Sequence, residues 1–280
     1  MARPLIVLTT VIAAIALLAG CGGGGTDMTA GMSAQQVLTE SATRTEALTS
    51  YRFGVDVKAT VKVDAGGTLG GLLANPIDIT GAGGAKDPGD FTLDLTANLG
   101  PGPIQANITK VGDALYLTLL GQSIKLDVDA ATVKSLDATR LAPAIAGWIS
   151  NPEIVGTEDI DGVPVVHVRG TVDEAALLED IGGLAGGLGA ADAVTPGAAG
   201  TNRDLETGVV DVWVGQEDLL IRKAAARALS QDALKAAPAV KAIDLNLSAT
   251  LSDFNQPVEI TAPSGARTVS LDSITGLLGG

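Results

Sequence analysis

The sequence is poor in cysteine, histidine, aromatic residues and positive charge. It holds one Cys, Cys21, and one His, His167. A lone cysteine has no intrachain disulfide partner, and a single imidazole cannot build a histidine-rich metal centre. Lys and Arg number 18 against 32 Asp and Glu, a net charge of −14. Nucleic-acid binding needs clustered Lys and Arg to neutralise phosphates, so it is excluded as a partner class. The same deficit argues against broad electrostatic docking onto anionic lipid heads. After the N-terminus there is no apolar run of the about 20 residues that a spanning helix needs. Disorder is excluded in turn, because 46% of the residues are hydrophobic.

What is present begins at the N-terminus. Arg3 supplies a basic start, residues 5–20 are apolar or small, and Cys21 follows. That is the layout of a secretory signal peptide. Leu18-Ala19-Gly20-Cys21 looks like a lipobox, in which the thiol receives diacylglycerol and a peptidase cuts just before the cysteine. The reading is therefore a signal peptide over 1–20 and lipidation, palmitate included, at Cys21. Residues 21–32, opening with four glycines after the cysteine, read as a flexible tether. The expected location is the outer face of the cell membrane, held there by lipid, since two or more acyl chains give stable attachment.

The folded part starts with a predicted helix over 33–49. Ser33 and Gln36 have capping-box spacing, and Ala34, Leu38, Ala42, Thr45 and Leu48 recur at helical period. The period then changes to two. Tyr51, Phe53, Val55, Val57, Ala59, Val61 and Val63 alternate with polar residues, as a strand with one wet face requires. Alternation returns in Phe91, Leu93, Leu95, Ala97 and Leu99, in Ile104, Ala106 and Ile108, and in Leu115, Leu117 and Leu119. A helical stretch over 130–150 is predicted to end at Asn151-Pro152. Strands follow over 155–160, 163–172, 208–215, 219–228 and 243–254, with a short one at 258–261. A helical or irregular insertion over 173–189 and a loop over 190–204 interrupt them. The tail, 264–280, has no clear place in the sheet. The expected fold class is α+β, a single large curved antiparallel sheet, with helices packed across its concave, apolar face.

Chemistry-bearing motifs are few. His167 lies mid-strand with no nucleophile elbow nearby, so it reads as a solvated or hydrogen-bonded strand histidine. No catalytic residues, no metal ligands and no cofactor are assigned. Asp127-Val128-Asp129 and the acidic run Glu158, Asp159 and Asp161 lack calcium-loop spacing. The Gly/Leu segment 182–189 is either a pliable gate or a loop. Trp148 and Trp213 read as core anchors. Phe53, Val55, Val57, Phe91, Leu93, Leu95, Leu115, Leu117, Leu245 and Leu247 line either a cavity or a filled core; the residues alone leave both open.

Several stretches resemble the mycobacterial lipoprotein family that includes LppX, LprA, LprF and LprG. They are residues 111–117 (VGDALYL), 156–170 (GTEDIDGVPVVHVRG), 212–218 (VWVGQED) and 251–263 (LSDFNQPVEITAP). The resemblance covers residues 33–263, taken as one lipid-binding domain. It implies a LolA/LolB-like half-barrel with helices over its open side, and a hydrophobic cavity for acyl chains of an envelope lipid or glycolipid. It thereby makes the ten residues above candidate cavity lining, in a monomer serving lipid transfer to an envelope partner. The Gly/Leu insertions at 66–73 and 182–189 depart from the family pattern. The competing expectation is a surface lipoprotein with a filled core that acts by protein contacts, as a sensor or envelope assembly factor.

Overall fold

The structure, a computed structural model, describes residues 26–63, 76–98, 102–128, 133, 141–173, 207–230 and 240–270. Cys21, the insertions at 66–73 and 182–189, the segment 174–206 and residues 271–280 lie outside the described residues. Twelve strands form one open sheet in the order β12-β6-β5-β4-β3-β2-β1-β11-β10-β9-β8-β7. Every neighbouring pair is antiparallel except β12 with β6, which is parallel. In chain order, α1 is Ala34–Glu46, β1 Ser50–Val63, β2 Ile77–Lys86, β3 Asp90–Asn98 and β4 Pro103–Val111. Next come β5 Ala114–Leu119, β6 Gln122–Asp127, α2 Leu141–Gly147, β7 Ile149–Ile160 and β8 Val163–Val172. The last are β9 Thr207–Gly215, β10 Ile221–Ser230, β11 Val240–Ser252 and β12 Arg267–Ser270. No described helix is long and apolar enough to cross a membrane.

Helix α1 starts where its cap dictates. Ser33 Oγ accepts from the Gln36 N–H at 3.3 Å, and Gln36 Oε1 accepts from the Ser33 N–H at 2.9 Å, so two of the orphan donors of the first turn are satisfied. Its buried stripe is Ala34, Val37, Leu38, Ser41 and Thr45. Ala42, expected in the stripe, is half-buried at its edge. Val37 and Leu38 are essentially inaccessible, and burying each side chain stabilises by about 1.5–3 kcal/mol. They pack with Val210, Val212, Val214, Leu219 and Ile221 in the main core. Thr45 Oγ1, also buried, accepts from the Ile221 N–H at 3.4 Å.

Four expectations need correction. Strand β2 was not foreseen. Its sequence, IDITGAGGAK, carries three glycines that hide the alternation. The glycines are there because neighbours fill their space. A Cβ on Gly81 would lie 2.8 Å from both Val55 and Leu95, and one on Gly83 would lie 2.9 Å from the Phe53 ring. Second, the described helix around 130–150 is α2 alone, apart from a helical Val133, and Asn151-Pro152 does not end it. Those residues sit inside β7, where the register shifts between Ser150 and Glu153 and Asn151 has a φ of 51°. An edge strand tolerates proline at a bulge, since its outer N–H has no ladder partner. Third, residues 258–261 are not a strand, and Val258 instead lies over Gly84. Fourth, the start of the tail, which had no clear place in the sheet, forms β12, paired with β6. β6 itself was unforeseen.

The described helices cover one flank rather than the whole face. α1 packs against β7, β9, β10 and α2, and α2 against β7. The end of the tether is also tied down: the Met28 N–H donates to the Gln216 carbonyl at 2.7 Å, and Met28 and Met32 pack on the core.

Candidate functional site

The ladder register decides which side chains share a face, because paired residues in an antiparallel sheet project together. From β11 to β1 the pairs are Leu245 with Ala59, Leu247 with Val57, Ala249 with Val55 and Leu251 with Phe53. Across β2 the same row meets β3 through Gly81 with Leu95, Gly83 with Leu93 and Ala85 with Phe91. It continues as Leu93 with Ile108, Ile108 with Leu117, and Leu117 with Ile124. Leu115 pairs with Lys110 and Leu126. All ten candidate lining residues therefore lie on one apolar face, which Ile79, Ile108, Ile124 and Leu126 extend.

Burial along that face is graded. Leu115 is buried with Leu126 and Val133 in a second small cluster, which Phe91, Ile108 and Ile124 border. Phe53 and Phe91 also touch the main core. Val55, Val57, Leu93, Leu95, Leu117, Leu245 and Leu247 are half-buried. At the far margin Ile104 and Leu119 are exposed.

One residue on this face was missed. Lys110 occupies an apolar-face position, one step beyond Ile104, Ala106 and Ile108 in the alternation of β4, and it is 4% exposed. Its ammonium donates to the Gly89 carbonyl at 2.7 Å, fastening the β2–β3 turn. The alternation in β4 already assigns Lys110 to the apolar side, and that was the available signal.

The opposite face carries the polar chemistry. His167 is 5% exposed and lies between two carboxylates: Nδ1 is 2.8 Å from Glu158 Oε1 and Nε2 is 2.6 Å from Asp211 Oδ1. A neutral imidazole has one N–H and can donate to one of them; the imidazolium serves both. Arg169 Nε also donates to Asp211, at 2.7 Å. That hydrogen bond, reinforced by the carboxylate's charge, raises the Arg169 pKa above its ordinary value. Trp213 corrects the expectation of a core anchor. Because Val210, Val212 and Val214 take the core side of β9, Trp213 projects outward. It stacks on His167 with centroids 4.5 Å apart, donates Nε1–H to Glu158 at 3.0 Å and lies beneath Lys223 Nζ at 4.7 Å. Trp148, by contrast, is in the core. Asp159 caps the β7–β8 turn by accepting from the Gly162 N–H at 2.7 Å, and Asp129 lies outside the described residues. Among the described residues no group of three or more His, Cys, Asp or Glu has a metal-holding arrangement.

Among the described residues, two grooves border the sheet. One of about 190 Å³ is bordered by Asp56, Asp211, Arg227, Asn246, Leu247 and Ser248. The other, about 500 Å³, lies over β3, β4 and β5 and includes Asp94, Leu95, Thr96, Gln105 and Asn107. Of the ten candidates, Leu247 borders the first and Leu95 the second.

No protein-family profile matches the sequence, and no curated protein matches it either. Among solved structures the chain is similar to LprF from Mycobacterium bovis, with 20% identity over 83% of this chain and 97% of that one and a TM-score of 0.47. It is similar to the Mycobacterium tuberculosis lipoprotein LppX at 18% identity, over 81% and 97% of the two chains, with a TM-score of 0.45. A LolA superfamily protein from Nitrosomonas europaea matches at 14% identity over 81% and 95%, with a TM-score of 0.28. These likenesses assign no ligand and no role to any residue.

Proposed function

We propose that the protein is a lipoprotein, anchored through lipid on Cys21 at the outer face of the cell membrane, that binds acyl chains of an envelope lipid or glycolipid for transfer. The observation that carries the reading is the continuous apolar face from Leu245 and Leu247 to Leu117, whose middle the chain leaves half-buried. Aliphatic side chains in register form an elongated apolar track, the shape that suits an acyl chain. Its chemistry is burial of apolar surface at about 0.8 kcal/mol per CH₂. Ten buried methylenes thus supply about 8 kcal/mol before the costs of association and ordering, without a polar hook. The lone cysteine after Leu18-Ala19-Gly20 supports the anchor.

The test uses the chain with Cys21→Ser, expressed in its native host and extracted. Mass spectrometry is expected to find co-purified acyl lipid, and a fluorescent fatty-acyl probe is expected to bind. Leu93→Asp is expected to weaken that binding. Absence of both lipid and probe binding overturns the reading. Labelling with an alkyne fatty acid is expected to tag the wild-type chain and not Cys21→Ser.

The filled-core reading has support on one flank, where α1 closes over β9 and β10. A solid interior under β1–β6 as well would favour action through protein contacts.

A further inference from the structure

The larger groove opens mainly on the side of the sheet away from the acyl track; of the ten track candidates it borders Leu95 alone, and its polar residues have no part in the lipid-binding reading. Its polar lining comes from three adjacent strands in register: Thr96 faces Gln105, Asp94 faces Asn107, and Asn107 faces Thr118. At about 500 Å³ it is within the range of small-ligand sites, roughly 300–1,000 Å³. None of its lining residues is cationic, so it offers nothing to hold an anion.

Part of the lining is fixed in place. Asn107 Nδ2 donates to Thr92 Oγ1 at 3.1 Å and to Asp94 Oδ1 at 2.9 Å, while Asn107 Oδ1 accepts from Thr109 Oγ1 at 2.8 Å. Thr118 and Ser123 hydroxyls are 2.8 Å apart. Hydroxyls and carboxamides both donate and accept, and Asp94 accepts strongly. The complementary ligand therefore carries several hydroxyls and no negative charge.

One wall of the groove differs from the rest. Leu120 sits at the β5–β6 turn with a φ of 50° and is 92% exposed. A leucine there is unfavourable twice over: its Cβ is strained in the left-handed region and its side chain is in water. Such outliers concentrate at functional positions. An apolar wall beside a hydroxyl- and amide-lined floor matches a sugar ring, which has a C–H face and a rim of hydroxyls.

We propose that this groove binds a neutral oligosaccharide, with Asp94, Thr96, Gln105 and Thr118 taking the hydroxyls and Leu120 taking a C–H face. The site lies on the other side of the sheet from the acyl track, so it stands or falls independently of lipid binding. The probes are neutral disaccharides to hexasaccharides of glucose, mannose, galactose and arabinose, titrated calorimetrically into the full-length chain. At least one is expected to bind with a Kd of about 1 mM or tighter. Asp94→Ala is expected to weaken it about tenfold, the loss of a charged hydrogen bond, and Leu120→Asn several-fold while the fold is kept. Three results overturn the proposal: no neutral oligosaccharide binds; binding is unchanged in Asp94→Ala and Leu120→Asn; or uronic-acid oligomers bind more tightly than neutral ones. Acyl-probe binding is expected to be equal in all three proteins, which separates this site from the track.

Discussion

The sheet has two halves built from the same alternation and finished differently. Over β8–β10 the inward residues Val166, Val168, Val210, Val212, Val214 and Ile221 are all buried, beneath the stripe of α1. Over β1–β5 the equivalent positions Phe53, Val55, Val57, Leu93, Leu95 and Leu117 are half-buried. The outer faces differ in parallel. Outside β7–β10 lies an ionic cluster around His167, whereas outside β3–β5 lies a ladder of Thr and Asn side chains. Alternation alone does not make a core: a covering element does, and among the described residues α1 sits over one half only. One half is therefore packed beneath α1, and the other keeps its apolar side chains half-buried.

The largest test of that contrast is a pair of truncations. Leu38→Ala empties a site walled by α1 and the sheet, and is expected to cost about 2–5 kcal/mol in urea unfolding. Leu95→Ala removes the same atoms from the half-buried face, where less surface is lost from the interior, and is expected to cost about 1 kcal/mol or less. Equal costs would mean that the two halves are equally packed.

Breaking the outer cluster comes next. His167→Ala leaves Glu158 and Asp211 without the imidazole between them, removes the stacking partner of Trp213, and is expected to cost about 1–3 kcal/mol. Asn107→Ala on the other half loses exposed or part-buried bonds, one of them to the Asp94 carboxylate, and is expected to cost about 0.5–1 kcal/mol. Tryptophan emission should shift in the first variant and not in the second, since Trp213 contacts His167 and neither Trp borders Asn107.

Much of this was legible in the sequence, and the misses have physical reasons. The strands β1, β3, β4, β5 and β11 are long or richly alternating, so period two marks them. β2 escapes because Phe53, Val55, Leu93 and Leu95 from its neighbours occupy the space over its glycines, and that information lies in other strands. β6 has just Ile124 and Leu126 on its inner side, and β12 is four residues whose pairing spans much of the chain. Trp213 was misread and Lys110 missed for a different reason. The local alternation assigned each to its face correctly, but residue type suggested the opposite environment. Position in the ladder decided both, with the polar or apolar remainder satisfied by Glu158 and His167 in one case and by Gly89 in the other.

Filling the track sharpens the comparison from the ligand's side. Leu93→Trp adds volume where the face is half-buried, so the fold is expected to absorb it with a change of about 1 kcal/mol or less. The acyl probe should lose about tenfold in affinity, equivalent to about 1.4 kcal/mol. Val212→Trp adds volume beneath α1, has no free surface to grow into, and is expected to cost at least about 3 kcal/mol. If both variants are equally tolerated, the distinction between a covered and an uncovered half fails.

The smallest effect lies at the margin of the uncovered half and has the opposite sign. β5 and β6 are joined by Leu120 and Gly121, with φ of 50° and 76°. Positive φ at both central residues is the signature of a type I′ hairpin turn, whose preferred sequence is Asn-Gly. Leu120 keeps its Cβ in the left-handed region and its side chain in water, so it contributes neither turn propensity nor burial. Leu120→Asn removes both penalties and is expected to stabilise the protein by about 0.5–1 kcal/mol in urea unfolding. A destabilised variant would mean that the leucine packs on something the hairpin needs. A stabilised one would mean that the protein keeps an unfavourable residue at that tip, on the half of the sheet that the helix leaves uncovered.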